Sequence, residues 1–217
     1  MRLIERRIRE AYFPVLKTLE QFQFAAAPTI PAATLRPVAE GAYLAAAEPV
    51  LFLGEPGTGK THLAIGLGVA ACRQRRRVRV PTAAALSTDL LEAQHQHQLS
   101  RVINRWAHVE LIIIDELAYE AVADLGAELF FQLIAERAEK ATVIATTNLA
   151  FSAWTTVFSN ARLCKALLDR LTDRAHIIDT GTESSRFRWT LEQRQAQGRG
   201  KPCGPAPTRE AGASPGT

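Results

Sequence analysis

Eight consecutive residues, Gly54-Glu55-Pro56-Gly57-Thr58-Gly59-Lys60-Thr61, fill every defined position of the phosphate-binding pattern G-x-x-x-x-G-K-[ST]. The residue types suit a nucleotide. Gly57 and Gly59 open backbone dihedrals that aim successive N–H groups at β-phosphate oxygens. A helix beginning near Lys60 adds the positive end of its dipole. The Lys60 ammonium can reach the β- and γ-phosphates, and the Thr61 hydroxyl can take one position on Mg²⁺. The rival, a glycine-rich turn with no ligand, fits the flanks poorly. Val50-Leu51-Phe52-Leu53 in front reads as a buried strand, and Leu63, Leu67, Ala70 and Ala71 behind recur at helical spacing.

Further positions point to hydrolysis. Asp115 ends the apolar run Leu111-Ile112-Ile113-Ile114 and can orient Mg²⁺ directly or through water. Glu116 follows where a base could take a proton from an attacking water; otherwise it caps a turn. A small-molecule P-loop kinase would share the loop but need an acceptor pocket rather than this pair of acids. Asn148, just past Thr142-Val143-Ile144-Ala145-Thr146, either hydrogen-bonds the γ-phosphate or the water, or begins a turn. Arg170 shares a helical face with Leu163 and Leu167. It either snorkels out as an end-of-helix cation or reaches a neighbouring subunit's nucleotide as an arginine finger.

The elements that must hold these residues alternate. Residues 1–13 pattern as a helix that Pro14 ends, and residues 14–47 form a lead-in, with Phe22 and Phe24 on one side of an extended segment and a helix around 37–47. Strands are expected at 49–53, 78–81, 109–114, 142–146 and 175–179, and helices at 60–73, within 83–107, at 122–140 and at 161–172. That alternation predicts an α/β fold, a three-layer P-loop NTPase with a central five-stranded parallel sheet. The helix at 122–140 puts Val122, Leu125, Leu129, Leu133 and Ile134 on one stripe. One crossover carries two helical patterns, around Leu86-Leu90-Leu91 and Leu99-Val102-Ile103-Trp106, where one would close the sheet, so a helical insertion is expected.

Composition bounds the class. At 217 residues and 47% hydrophobic, the chain can build a sizeable core. It carries neither an 18-residue apolar run nor a signal-peptide pattern, so a cytoplasmic protein with no membrane partner is expected. Cys72, Cys164 and Cys203 are far apart and odd in number, and read as reduced thiols. His95 and His97 are poorly spaced for one helical face and have no third ligand nearby. The net charge is +4 and the pI about 9.2, but the arginines cluster. Arg2, Arg6, Arg7 and Arg9 form one group, and Arg73, Arg75, Arg76, Arg77 and Arg79 another. Either group suits a phosphate backbone, or merely faces water and a helix dipole. The expected division is a lead-in at 1–47, a nucleotide-binding domain at 48–190 and a disordered Gly/Pro/Arg-rich tail at 191–217.

With these parts in order, the chain resembles the AAA+ ATPases, and within them the IstB-like transposition helpers and the related DnaC-type helicase loaders. The matching stretches are Glu5 to Ala11 with Phe13 to Leu19, Gly54 to Leu63, Leu111 to Glu116, Thr147-Asn148-Leu149 with Phe151 to Trp154, and Leu167 to Leu171. The resemblance implies ATP with Mg²⁺ as cofactors. It implies Walker A at 54–61, Walker B at Asp115-Glu116, sensor 1 at Asn148 and an arginine finger at Arg170. It also implies an inserted helix facing nucleic acid. The implied function is an ATPase that assembles as a homo-oligomer on duplex DNA with ATP at subunit interfaces, engages a transposase for target selection, and is released on hydrolysis. A helicase loader and a non-hydrolysing ATP-binding adaptor are the alternatives. The chain departs from the family pattern in four places. It begins inside the usual helical N-terminal region, has Ala118-Tyr119 where Gly-Tyr is common, carries a denser arginine run at 73–79, and shows no evident helical lid with a sensor 2 arginine.

Overall fold

A computed structural model of the chain describes residues 1–27, 29–30, 32–117, 124–137, 140–154 and 160–182. Five short runs pair into one sheet: β1 (Val50–Leu53), β2 (Val78–Arg79), β3 (Leu111–Ile114), β4 (Thr142–Thr147) and β5 (His176–Asp179). They lie in the order β2-β3-β4-β1-β5, every pairing parallel. β3 and β4 are buried along their whole length, as interior strands covered on both faces must be.

Side-chain alternation along the strands divides the interior into two cores. On one face Leu51, Ile112, Ile114, Val143 and Ala145 pack with α5 (Ala83–His95), α7 (Asp124–Arg137) and α8 (Ala161–Thr172). On the other, Val50, Phe52, Leu111, Ile113 and Ile144 pack with α4 (Lys60–Arg73) and with the lead-in, whose helices are α1 (Arg2–Ala11), α2 (Ala32–Glu40) and α3 (Ala42–Ala46). This is the expected three-layer α/β architecture. The insertion is also present: α5 is followed by α6 (Leu99–Trp106) before the chain enters β3. α5 starts on a Thr82 cap whose hydroxyl accepts from the Ala85 N–H, and α8 on an Asn160 cap that accepts from the Leu163 N–H.

Several expectations are corrected. The segment around Phe22 and Phe24 is not extended but forms two 3₁₀ turns, Leu19–Gln21 and Phe24–Ala26. The helix expected at 37–47 begins earlier and is broken in two at Gly41, whose φ of 88° stops α2. Leu125 is 45% exposed rather than on the buried stripe of α7, where Phe130 and Phe131 join Leu129, Leu133 and Ile134. β2 is shorter than expected because the Val80 N–H donates to the Ala11 carbonyl of α1 instead of continuing along β3. Cys72 and Cys164 are buried and free; burial pushes the Cys72 thiol up to about 11 and raises that of Cys164. Among the described residues no helix is long and apolar enough to cross a membrane, and no cluster of His, Cys, Asp and Glu could hold a metal by itself. Val122, Ala118-Tyr119, Cys203 and the expected tail at 191–217 lie outside the described residues.

Candidate functional site

The phosphate loop leaves the carboxyl end of β1 and enters α4. Its shape depends on two glycines with close neighbours. At Gly54, φ is 141° and a Cβ would stand 2.3 Å from the Thr180 hydroxyl; at Gly59, φ is 101° and a Cβ would stand 2.7 Å from the Phe22 ring. The Lys60 side chain curls under the loop, where Nζ donates to the carbonyls of Gly54 at 2.7 Å and Glu55 at 2.8 Å. A cation is thereby fixed inside a curve of backbone, with the first turn of α4 behind it.

Two distant segments brace this loop. From the end of β5, Thr180 Oγ1 donates to the Leu53 carbonyl at 2.9 Å and lies 2.6 Å from the Thr58 hydroxyl, while the Glu55 N–H donates to the Gly181 carbonyl at 3.0 Å. From the lead-in, the Phe22 ring rests on Gly59 and meets His62 edge-on, with ring centroids 5.3 Å apart. His62 Nε2 is 2.9 Å from the Thr18 carbonyl, and Thr29 Oγ1 donates to the Thr180 carbonyl at 2.9 Å.

Facing the loop, the register Ile114↔Ala145 between β3 and β4 sets Asp115 beside Thr146. Asp115 Oδ1 accepts from the Thr146 hydroxyl at 2.6 Å and from the Thr61 hydroxyl at 3.0 Å. The same Thr146 oxygen accepts the Glu116 N–H at 2.8 Å. Glu116 is exposed, with a φ of 55° that few non-glycine residues adopt. One hydroxyl thus holds the Asp115 carboxylate and anchors the backbone of Glu116. Asn148 is half-buried just past β4, inside a turn that Thr147 begins by accepting the Leu149 N–H at 3.1 Å.

The donors fit a small hard cation. Thr61 and Asp115 present only oxygens, already within hydrogen-bond distance of one another at the mouth of the loop. One carboxylate and one hydroxyl, completed by water and substrate phosphates, is the kind of set that suits Mg²⁺. The glycine loop fits phosphate through its backbone: Gly54, Gly57 and Gly59 all hold positive φ, the conformation that turns successive N–H groups toward an anion.

Gly54 to Thr61, Asp115, Glu116 and Asn148 therefore all lie at the carboxyl edge of the sheet. β1 and β4 are neighbours there, yet the helices that follow, α4 and α8, cover opposite faces, which opens the crevice where such sheets bind ligands. Arg170 does not join them. It is exposed on α8 and lines a cleft of about 750 Å³ with residues 46–49, just before β1, and with Asp173 and Arg174, just before β5. That is the amino-terminal edge. Sequence reasoning missed Thr146, Thr180 and Phe22. A threonine at the end of an apolar strand is a faint signal for the first, and no local pattern marks the other two.

Residues 1–193 match the family described as IstB-like ATP binding protein. The chain is 37% identical over 193 residues to a predicted ATP-binding protein of insertion sequence IS21 from Pseudomonas aeruginosa, covering 89% of this chain and 72% of that protein. It is 35% identical over 211 residues to a predicted insertion sequence ATP-binding protein of Sinorhizobium fredii, covering 97% and 70%. Among solved structures, AMPPCP-bound DnaA from Aquifex aeolicus shares the fold, with a TM-score of 0.62 and 18% identity over 85% of this chain; the chain spans 56% of that protein. The DnaC helicase loader shares it with a TM-score of 0.56 and 17% identity, over 68% of this chain and 86% of that one.

Proposed function

Because the chain belongs to the IstB-like ATP-binding protein family, we propose that it is the ATPase helper of a transposition system, assembling on duplex DNA with ATP bound between subunits and engaging a transposase. Release of the assembly then follows hydrolysis. The insertion-sequence relatives support the transposition role.

The phosphate loop and Lys60 bind the β- and γ-phosphates, and Thr61 with Asp115 would hold Mg²⁺. When bound there, Mg²⁺ would supply charge neutralisation at the β- and γ-phosphates. Glu116 takes a proton from the water that attacks the γ-phosphorus, so that water and ATP become phosphate and ADP. Asn148 orients that water or the γ-phosphate through its amide. Arg170 serves the nucleotide of the neighbouring subunit, a role supported by its position at the sheet edge away from its own loop.

The observation that carries this reading is the Thr146 hydroxyl, which joins Asp115 and Glu116 opposite Thr61. A loop that only held a nucleotide would not require an acid held against Thr61 with a second acid anchored through its backbone beside it. Phosphate release with and without duplex DNA, for the wild type and Glu116→Gln, tests it. The expected outcome is stimulation by duplex over single-stranded DNA in the wild type, and a loss of about 10²-fold or more in Glu116→Gln with nucleotide binding retained. If neither DNA nor the substitution alters the rate, the hydrolytic switch is wrong.

A further inference from the structure

The two arginine groups, some seventy residues apart in sequence, meet in the fold. α1 lies along the free edge of β2, where the Ala11 carbonyl accepts the Val80 N–H. Arg79 donates to the Glu10 carbonyl and lies over the Tyr12 ring, 5.2 Å from its centroid. Arg7 donates through Nε to the Arg75 carbonyl at 3.3 Å and through Nη1 to Glu10 at 3.1 Å. The end of α6 closes the seam with Arg105 and His108, leaving a cleft of about 260 Å³ lined by Arg7, Glu10, Arg77, Arg79, Arg105 and His108.

Charge is distributed unequally along this seam. Arg73 is paired with Glu20 at 2.7 Å, and Arg76 with Glu110 at 2.7 Å. Glu10, the one acid lining the cleft, is already engaged by Arg6 and Arg7. Arg77, Arg105 and His108 are exposed and their side chains make no ion pair with any described residue. Arg7 and Arg79 are pinned by backbone carbonyls, so the cleft has a fixed cationic floor, with the guanidinium groups of Arg77 and Arg105 projecting at its rim. We infer that this seam of α1, β2 and the end of α6 is where the phosphate backbone of duplex DNA lies against the subunit. Guanidinium forks match phosphate oxygens in pairs, and four arginines line one cleft with Glu10 as its single acid, which suits a polyanion better than a single small phosphate. The end of α6 and the residues after it supply one wall.

This assignment rests on the DNA-binding part of the proposed function, and the two can fail separately. Binding of the full chain with ATP to fluorescently labelled duplex is measured by anisotropy at several salt concentrations. The wild type is compared with Arg77→Ala/Arg105→Ala and with the control Arg162→Ala/Lys165→Ala, which removes the same charge from exposed positions on α8. The cleft variant should bind more weakly on every duplex sequence, and its slope of log K against log salt should be shallower by about two. Affinity for a fluorescent ATP analogue should be unchanged. An unaltered slope, or an equal loss in the control, overturns the seam while leaving the proposed function standing. A wild type that binds no duplex in any nucleotide state overturns both.

Discussion

At the residue scale the most consequential side chain is Thr146, buried at the end of β4 and shared by Asp115 and Glu116. Thr146→Val keeps the shape but removes a donor to the carboxylate and an acceptor for the Glu116 N–H. The fold should lose only about 1–2 kcal/mol, because the orphaned groups border solvent. Turnover should suffer more, since displacing a catalytic group by about 1 Å can cost about 10²-fold. ATP turnover in Thr146→Val is therefore expected to fall by about that factor with nucleotide affinity nearly intact, and Thr146→Ser should restore most of it. Full turnover in the valine variant would reduce Thr146 to a core residue.

At the element scale, α4 carries the loop's Lys60 and Thr61 and is packed too tightly to tolerate growth. A Cβ at Gly68 would stand 2.5 Å from Ile113 Cδ1 and 2.8 Å from the Phe13 ring, and Ile113 is fully buried. Gly68→Ala gains up to about 1 kcal/mol of helix propensity but should lose about 1–3 kcal/mol to overpacking. The urea midpoint should consequently drop; a rise would show that the sheet yields at β3. The bounds of α4 and α8 were legible in the sequence, at 60–73 and 161–172, because helical spacing and termini are local signals. The lead-in was not. Its 3₁₀ turns are held by contacts with α4, from the Thr18 carbonyl to His62, from Leu19 to Gly66 and from Phe22 to Gly59, none of which the segment's own pattern contains.

At the scale of the whole molecule, strand order separates the two halves of the proposed hydrolytic site. The phosphate loop, the acid pair and Asn148 share the carboxyl edge. Arg170 lies across strands four to six residues long, which span about 13–20 Å at a rise of about 3.3 Å per residue. If Arg170 acts between subunits, Glu116→Gln and Arg170→Ala should each be inactive alone. Mixed in equal amounts they should recover about a quarter of the wild-type rate, since about one interface in four then joins an intact acid to an intact arginine. No recovery on mixing would restrict Arg170 to its own subunit or to structure. The sequence by itself determined the phosphate loop, the acid pair and the α/β alternation, because phosphate chemistry needs its residues at fixed local spacing and doubly covered strands need continuous apolar runs. Tertiary structure alone decided which distant residues meet them: Thr146 under the acids, Phe22 and Thr180 around the loop, two arginine groups along one seam, and Arg170 on the far edge. Those meetings depend on strand order and register, and these are set by how the faces of the sheet are buried, not by any local pattern.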